Sequence, residues 1–553
     1  MFPYAIIFRI EISVRGILLL FRIHRKDRIM KRRIISILLI LVMIFTMTAC
    51  SSEDSGSNKP DSQDDALDTD DKDNNNSSQN NQNGNNNNGN NGIQVEGTAN
   101  GNAAGFDEQE LAIYNALFDV NNKISVKVTI AQEEIEKIQA DYKRYNKSPI
   151  YRIAEKVTFD IGGQIYEIED VGIRMKGNTS RRDLYGDDGR FFLTHFRLSF
   201  DETFDDEEFY GSEARVWESE EEKEARKDRT FATLSSMELK YNGTFDYTYT
   251  CELYAHEFFI NNGVLAQKCN KAAYNMSDID FGIYTIYEPV DKTFIKRNLS
   301  EEDWDGDLYK VQWTYQPGDY SFGCSYGIED ETKNEFYNFD LKTNKKSSDH
   351  SSLRNLIDVL NTKQNKEDLE SVVDVNYFLK FAATSYFAGC ADDMRNNFNN
   401  HYVYFKKSDG KAIFIPYDYD RCFGHANGYN PGDQCLTNFS PFDPYAAGSR
   451  FGAPVNPIFM QTVTLSGYYL DEYKAELNKL MDGEWLTYDK FLSYYNKIEG
   501  NYKDLAVPTY NFKSLDEQSL AFRDNNINGN MHFDKYVEAI KKTCVNCIEN
   551  NID

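Results

Sequence analysis

The densest set of chemically useful side chains in this 553-residue chain is Asp392, Asp393, Asn396, Asn397, Asn399 and Asn400, followed one hairpin's length later by Asp418 and Asp420. Carboxylate and amide oxygens are hard donors. They suit Mg²⁺, which keeps several waters and takes its remaining ligands from substrate phosphates. Between the two groups, HYVYFKK, the turn Ser408 to Lys411 and AIFIPYDYD read as a β-hairpin that returns the chain and brings both acidic sets to one edge. If AIFIPYDYD is one strand, its period of two puts Asp418 and Asp420 on one face, where like charges repel and a cation relieves the repulsion. Other chemistries find little support. Seven histidines without an HExxH pattern argue against a zinc hydrolase, and no GxSxG marks a serine nucleophile. Asp303, Asp305 and Asp307 imitate the start of a calcium loop, but the twelfth position is Thr314 rather than Glu, so the segment reads as a turn.

The elements that must position these residues follow from periodicity. A helix from Val375 to Gly389 leads into the Asp/Asn loop. Upstream, residues 106 to 122 read as a short helix, Ile124 to Ile130 as a strand, and Ala131 to Arg144 as a charged helix. A long hairpin then breaks at Gly162 and Gly163. His195 to Phe200 and Ser235 to Lys240 form a second strand pair, and the highly charged stretch 208 to 229 between them reads as a solvated insertion. A helix begins near Asp246, with Tyr247, Cys251, Tyr254 and Phe258 on one face, and FGIYTIYEPVD is a buried strand that ends at Pro289. From Ser466 the pattern is mostly helical. The expected architecture is α+β in two lobes, a β-rich lobe over 106–290 and a helical lobe over 291–553.

A helix, a loop with Asp then Asn, a hairpin and a metal-binding Asp occur in the same order in protein kinases. The chain resembles the CotH kinase family, named for a spore-coat protein. The resemblance is carried by VGIRMKGNTS, FRLSFDETF, the Lys240-to-Asn262 segment, FGIYTIYEPVDKTFI, GDLYK, ADDMRNNFNNHYVYF and IPYDYDRCFG. It implies an atypical protein-kinase-like fold that transfers the γ-phosphoryl group of ATP to Ser or Thr of a protein substrate, with Mg²⁺ or, in its place, Mn²⁺. On the matching positions, Asp393 corresponds to the catalytic base with Asp392 as the alternative. Asn399 and Asn400 compete for the metal-binding amide, and Asp418 and Asp420 are the metal carboxylates. The turn Lys176, Gly177, Asn178, Thr179, Ser180 corresponds to a phosphate-covering loop, and Lys240 to the phosphate-clamping lysine, oriented by Glu252 or Glu257. Glu288 falls at the adenine-binding hinge. There is no GxGxxG, HRD or DFG, and the family's WDxD tryptophan is Tyr417.

Composition sets the context. Lys and Arg number 61 against 88 Asp and Glu, a formal charge of −27, which disfavours nucleic acid as a partner. With 41% hydrophobic and 14% aromatic residues the chain can bury a large core. MKRRIISILLILVMIFTMTAC, ending at Cys50, has the basic start, apolar run and small residues of a secretory signal and resembles a bacterial lipobox. Residues 1–49 are therefore read as an over-extended start plus lipoprotein signal peptide, and Cys50 as the lipidated residue. The Asn-rich residues 50–105 become a flexible tether. The expected location is the extracytoplasmic face of the cell membrane, held by a lipid anchor. Eight further cysteines do not make a disulfide scaffold, and Cys544 and Cys547 read as structural. ATP is scarce outside the cytoplasm, so the competing expectation is a catalytically inert, kinase-like surface lipoprotein that acts in adhesion or binding.

Overall fold

Alternating apolar and polar residues run through the first strands, and the computed structural model closes them into a barrel. It describes residues 105–145, 147–177, 180–242, 246–362, 365–390, 392–425, 436–442, 468–505 and 531–550, all within one compact unit. Helix α1 (Glu108–Leu117) starts at Asp107, whose carboxylate accepts the amides of Gln109 and Glu110. Strand β1 (Ile124–Thr129) and α2 (Gln132–Arg144) follow, then the hairpin of β2 (Arg152–Ile161) and β3 (Gln164–Lys176). Next come β4 (His195–Ser199), α3 (Glu220–Lys227), β5 (Ser236–Tyr241), α4 (Cys251–Asn261), β6 (Cys269–Met276) and β7 (Ile279–Tyr287). The strands pair in the order β1-β2-β3-β4-β5-β7-β6, and β6 closes onto β1 in parallel. Val126, Val157, Phe159, Ile173, Phe196, Leu198, Leu239 and Tyr274 fill the interior.

Beyond the barrel lie α5 (Lys292–Asn298), β8 (Leu308–Val311), β9 (Tyr326–Gly327), β10 (Phe339–Leu341), α6 (Ser351–Thr362), α7 (Lys366–Val372) and α8 (Val375–Ala388). The short α9 (Met394–Asn397), β11 (His401–Phe405), β12 (Ala412–Pro416), α10 (Leu470–Asp482), α11 (Tyr488–Tyr502) and α12 (Phe533–Asn550) complete the described chain. The class is α+β, but the second half is not helical throughout: it holds a five-stranded sheet, β12-β11-β8-β10-β9. Helix α8 is apolar on nearly every side and is the central rod of this core, with twelve of its fourteen residues buried. The described cysteines, Cys544 and Cys547 included, are free and buried. Among the described residues no helix is long and apolar enough to cross a membrane. Cys50 and the signal and tether segments lie outside the described residues.

Three expectations change. The charged stretch 208 to 229 is not a loose insertion. Arg215 makes a two-pronged pair with Asp170 at 2.5 and 2.7 Å, and Arg229 donates to the carbonyls of Phe200, Glu169 and Asp170. Arg229 and Arg226 satisfy backbone oxygens where Asp170 sits in the left-handed region (φ 62) within β3, and Arg215 holds the Asp170 carboxylate. The helix expected from Asp246 begins instead at Cys251, because the Asp246 carboxylate accepts the amides of Thr248 and Cys251 and holds Tyr247 outside it. Strand β12 ends at Pro416, before Asp418.

Gly389 ends α8 in the left-handed conformation (φ 61), where an added Cβ would overlap the Tyr536 hydroxyl of α12. Gly389→Ala should lower unfolding stability by about 2–4 kcal/mol through combined backbone strain and overpacking, read as a lower urea midpoint.

Candidate functional site

The site is built on the outer face of the barrel. In β3, β4 and β5 the inward residues Met175, Phe196 and Leu239 are buried in the barrel core. The period of two then turns Arg174 and Lys176, His195 and Arg197, and Glu238 and Lys240 to the other face. Strand register aligns Lys176 with His195, Arg174 with Arg197, and Arg197 with Glu238. All six line one open cleft, whose opposite wall carries Lys310, Trp313, Asn399, Asn400, Tyr417, Asp418 and Asp420.

At the centre of the cleft is the Lys240 ammonium. It pairs with Asp418, lies 3.0 Å from Glu252 of α4 and 3.4 Å from Asp420. Glu257 pairs with Lys268 at 3.7 Å instead, so Glu252 is the helix partner of Lys240. Despite the cost of burial, these three carboxylates hold the Lys240 ammonium well above the usual lysine range. Burial raises the pKa of Asp418, but the ion pair with Lys240 outweighs that cost and holds it below the usual carboxylate range. Burial, Asp418 and Glu252 push Asp420 up. The two aspartates do share a site, yet not through strand alternation: both lie in the loop after β12, with Asp418 left-handed (φ 59). The cation between them is a lysine.

Asn399 and Asn400 are held from below by Asp392. Its Oδ1 accepts from Asn397 Nδ2 at 2.6 Å and Asn399 Nδ2 at 3.2 Å, and its Oδ2 from Asn400 Nδ2 at 3.2 Å. Asn399 Oδ1 accepts the Trp313 amide at 3.2 Å. Asn400 has a left-handed backbone (φ 49), and no described donor reaches its Oδ1. Asp393 points elsewhere. It is fully buried, accepts from Ser385 Oγ at 2.5 Å, from the Tyr419 hydroxyl at 3.1 Å and from the Asn396 amide at 2.8 Å, and caps α9. Burial pushes it up to about 6.

Glu288 does not join the cleft. Fully buried, it pairs with Arg297 at 2.7 Å and accepts from the Tyr114 hydroxyl and the Lys268 amide, so its oxygens are spent fastening α1 to the exit of β7. Gly177 (φ 106) and Ser180 line the cleft beside Lys176, while Asn178 lies outside the described residues.

Sequence reasoning passed over Glu238, Arg197 and Lys310. Glu238 lies two residues before Lys240 on the same strand and Arg197 opposite Glu238 across the hairpin, so strand period and register were the available signals. In all, eight lysine and arginine side chains face six carboxylates across this cleft, in a chain whose formal charge is −27. Such a lining suits an anionic ligand carrying a hard cation.

The family described as CotH kinase protein matches residues 173–539, from the middle of β3 into α12. The chain belongs to the CotH kinase family. No curated protein matches it. In this CotH-family chain the matched span contains every cleft residue named above and excludes α1 and α2.

Lys176 pairs with Glu238 and donates to the Tyr417 hydroxyl at 2.9 Å, while Lys310 sits over the Tyr417 ring at 4.3 Å. Burial lowers Lys176 to about 7, with Lys310 adding repulsion against the pull of Glu238. The unfolded chain therefore binds the extra proton between about pH 7 and the ordinary lysine value of about 10.4, and this group makes stability rise with pH across that window. In ¹³C-methylated protein, the Lys176 resonance should titrate near pH 7, three units below the surface lysines. A midpoint near 10 would show that the cleft does not desolvate it.

Proposed function

We propose that this chain is a lipid-anchored protein kinase of the extracytoplasmic face that transfers the γ-phosphoryl group of ATP to Ser or Thr of an exported protein, with Mg²⁺. The observation that carries this reading is the convergence on one cleft of Lys240, Asp418, Asp420 and Asn400 from segments far apart in the chain. Hard oxygen donors beside a cationic wall fit a metal-bound polyphosphate and fit few other ligands. Asp418, Asp420 and the Asn400 carbonyl would hold the ion, which when bound neutralises phosphate charge. Lys240 supplies fixed positive charge along the phosphate path, Lys176 and Lys310 line it as lysines that burial holds below their usual range and that a bound anion would draw back toward the charged form, and Glu252 keeps Lys240 aimed into the cleft.

Of the adjacent aspartates, Asp392 is the proton acceptor for the substrate hydroxyl. It lies directly beneath Asn399 and Asn400, and burial together with the Asp418 charge raises its proton affinity. Asp393 is the strut behind it. With labelled ATP, Mg²⁺ and secreted protein, the purified mature chain should label itself or a substrate. Asp392→Asn should slow transfer by about 10²–10⁴-fold at unchanged unfolding midpoint, whereas Asp393→Asn should lower the midpoint. If Asp418→Asn keeps full Mg-dependent transfer, the assignment fails. If the wild-type chain shows no ATP binding by calorimetry, the adhesion reading replaces it.

The anchor rests on the sequence ending at Cys50. Cys50→Ser should move the protein from the detergent phase to the aqueous phase in detergent partitioning. Unchanged partitioning would assign retention to an uncleaved apolar segment.

A further inference from the structure

The first turn of α4 does more than present Glu252. Immediately before it, Asp246, Cys251 and His425 bring a carboxylate, a thiol and an imidazole into one buried cluster, each residue at most 4% exposed. Cys251 Sγ lies 3.4 Å from His425 Nδ1. Sulfur and nitrogen ligands on one tetrahedral zinc ion sit about 3.5 Å apart, given Zn–S near 2.3 Å and Zn–N near 2.0 Å. One ligand atom from each of the three residues falls within 4.8 Å of the others.

The surroundings orient these groups as a metal site does. Asp246 Oδ1 accepts from both the amide and the hydroxyl of Thr248, and Oδ2 accepts the Cys251 amide at 2.8 Å, which fixes the carboxylate plane and leaves a lone pair on Oδ2. Phe423 (φ 47) and Gly424 (φ 90) are successive left-handed residues, and the His425 amide donates to Cys422 O at 2.9 Å. This tight turn folds Cys422-Phe-Gly-His425 back against α4. The Cys422 thiol fastens this turn by donating to the Cys251 carbonyl at 3.4 Å.

We propose that Asp246, Cys251 and His425 bind a zinc-type divalent ion. The ion is distinct from the one assigned to Asp418 and Asp420. Its ligands flank the cleft machinery on both chain segments: Cys251 precedes Glu252, and His425 follows Asp420 by five residues. Binding would lock the start of α4 to the segment that carries the metal aspartates. Burial and the Asp246 charge push the Cys251 thiol up, so without an ion the sulfur stays protonated. A dication reverses that balance: the Cys251 thiol releases its proton to solvent and binds as thiolate.

The test needs no phosphoryl transfer. The full mature chain is purified from cells grown with cobalt, and its absorption spectrum is recorded before and after zinc is added. The expected result is one cobalt per chain, a thiolate-to-cobalt charge-transfer band, tetrahedral d–d bands, and loss of both on zinc exchange. Cys251→Ser and His425→Gln should remove the charge-transfer band or reduce the metal content, whereas Cys269→Ser, a buried thiol on β6, should leave both intact. Asp418→Asn should also keep the band, which separates this ion from the one in the cleft. A wild-type chain with no charge-transfer band overturns the proposal, and so does a band that survives both Cys251→Ser and His425→Gln. The wild-type spectrum decides even if a variant fails to fold.

Discussion

One ammonium group, that of Lys240, holds three carboxylates from two distant stretches of chain: Glu252 from α4, and Asp418 and Asp420 from the loop after β12. Taking such charges out of water is costly, and the attraction among them offsets that cost only when the geometry is well satisfied. The junction therefore acts as a positional constraint more than as a source of stability. It fixes the barrel face, the first turn of α4 and the acidic loop relative to one another before any ligand arrives. Asn400 and Asp418, both with left-handed backbones, line the same cleft. Strained conformations persist where surrounding contacts over-determine them, and here the ion pairs and the amides fastened to Asp392 supply those contacts.

Charge is distributed against the average. The chain as a whole is strongly acidic, yet its cleft is lined by more lysine and arginine than carboxylate. Field lines concentrate in a concave site with low-dielectric walls, so a cationic cleft in an acidic molecule discriminates by location: anions are repelled from most of the surface and admitted at one place. The barrel makes this possible with ordinary strand chemistry. One face of β3, β4 and β5 is core, and the other is a patterned array of charges whose spacing the sheet register sets.

The sequence made some of this readable and hid the rest, for physical reasons. The hairpins of β2 with β3 and of β11 with β12, and the buried helix α8, are local patterns with strong periodicity, and they fall where periodicity puts them. Strand β6 was not foreseen. Its sequence, CNKAAYNM, has little intrinsic strand preference and is extended because β1 on one side and β7 on the other need it to close the barrel. The arginines at 215, 226 and 229 read as solvated charge because nothing local shows that Asp170 would leave β3 carbonyls unpaired. Glu288 failed as a hinge residue for a similar reason: its partner Arg297 and the Tyr114 hydroxyl arrive from other elements.

Asp392 and Asp393 show most sharply what neighbouring identical residues conceal. Sequence alone offers no means to rank them, since type, spacing and motif are shared. The structure separates them through what each carboxylate has already accepted. Asp393 takes a hydroxyl from α8, a second from Tyr419 and the capping amide of α9, so its oxygens are used to join a helix, a loop and a turn. Asp392 takes only side-chain amides, from Asn397 and from Asn399 and Asn400, which line the cleft. A carboxylate committed to backbone and core hydroxyls cannot exchange partners without loosening the fold. One that holds only side-chain amides, beside Asp418, can. Two identical side chains one residue apart are thereby assigned to architecture and to chemistry by their donors.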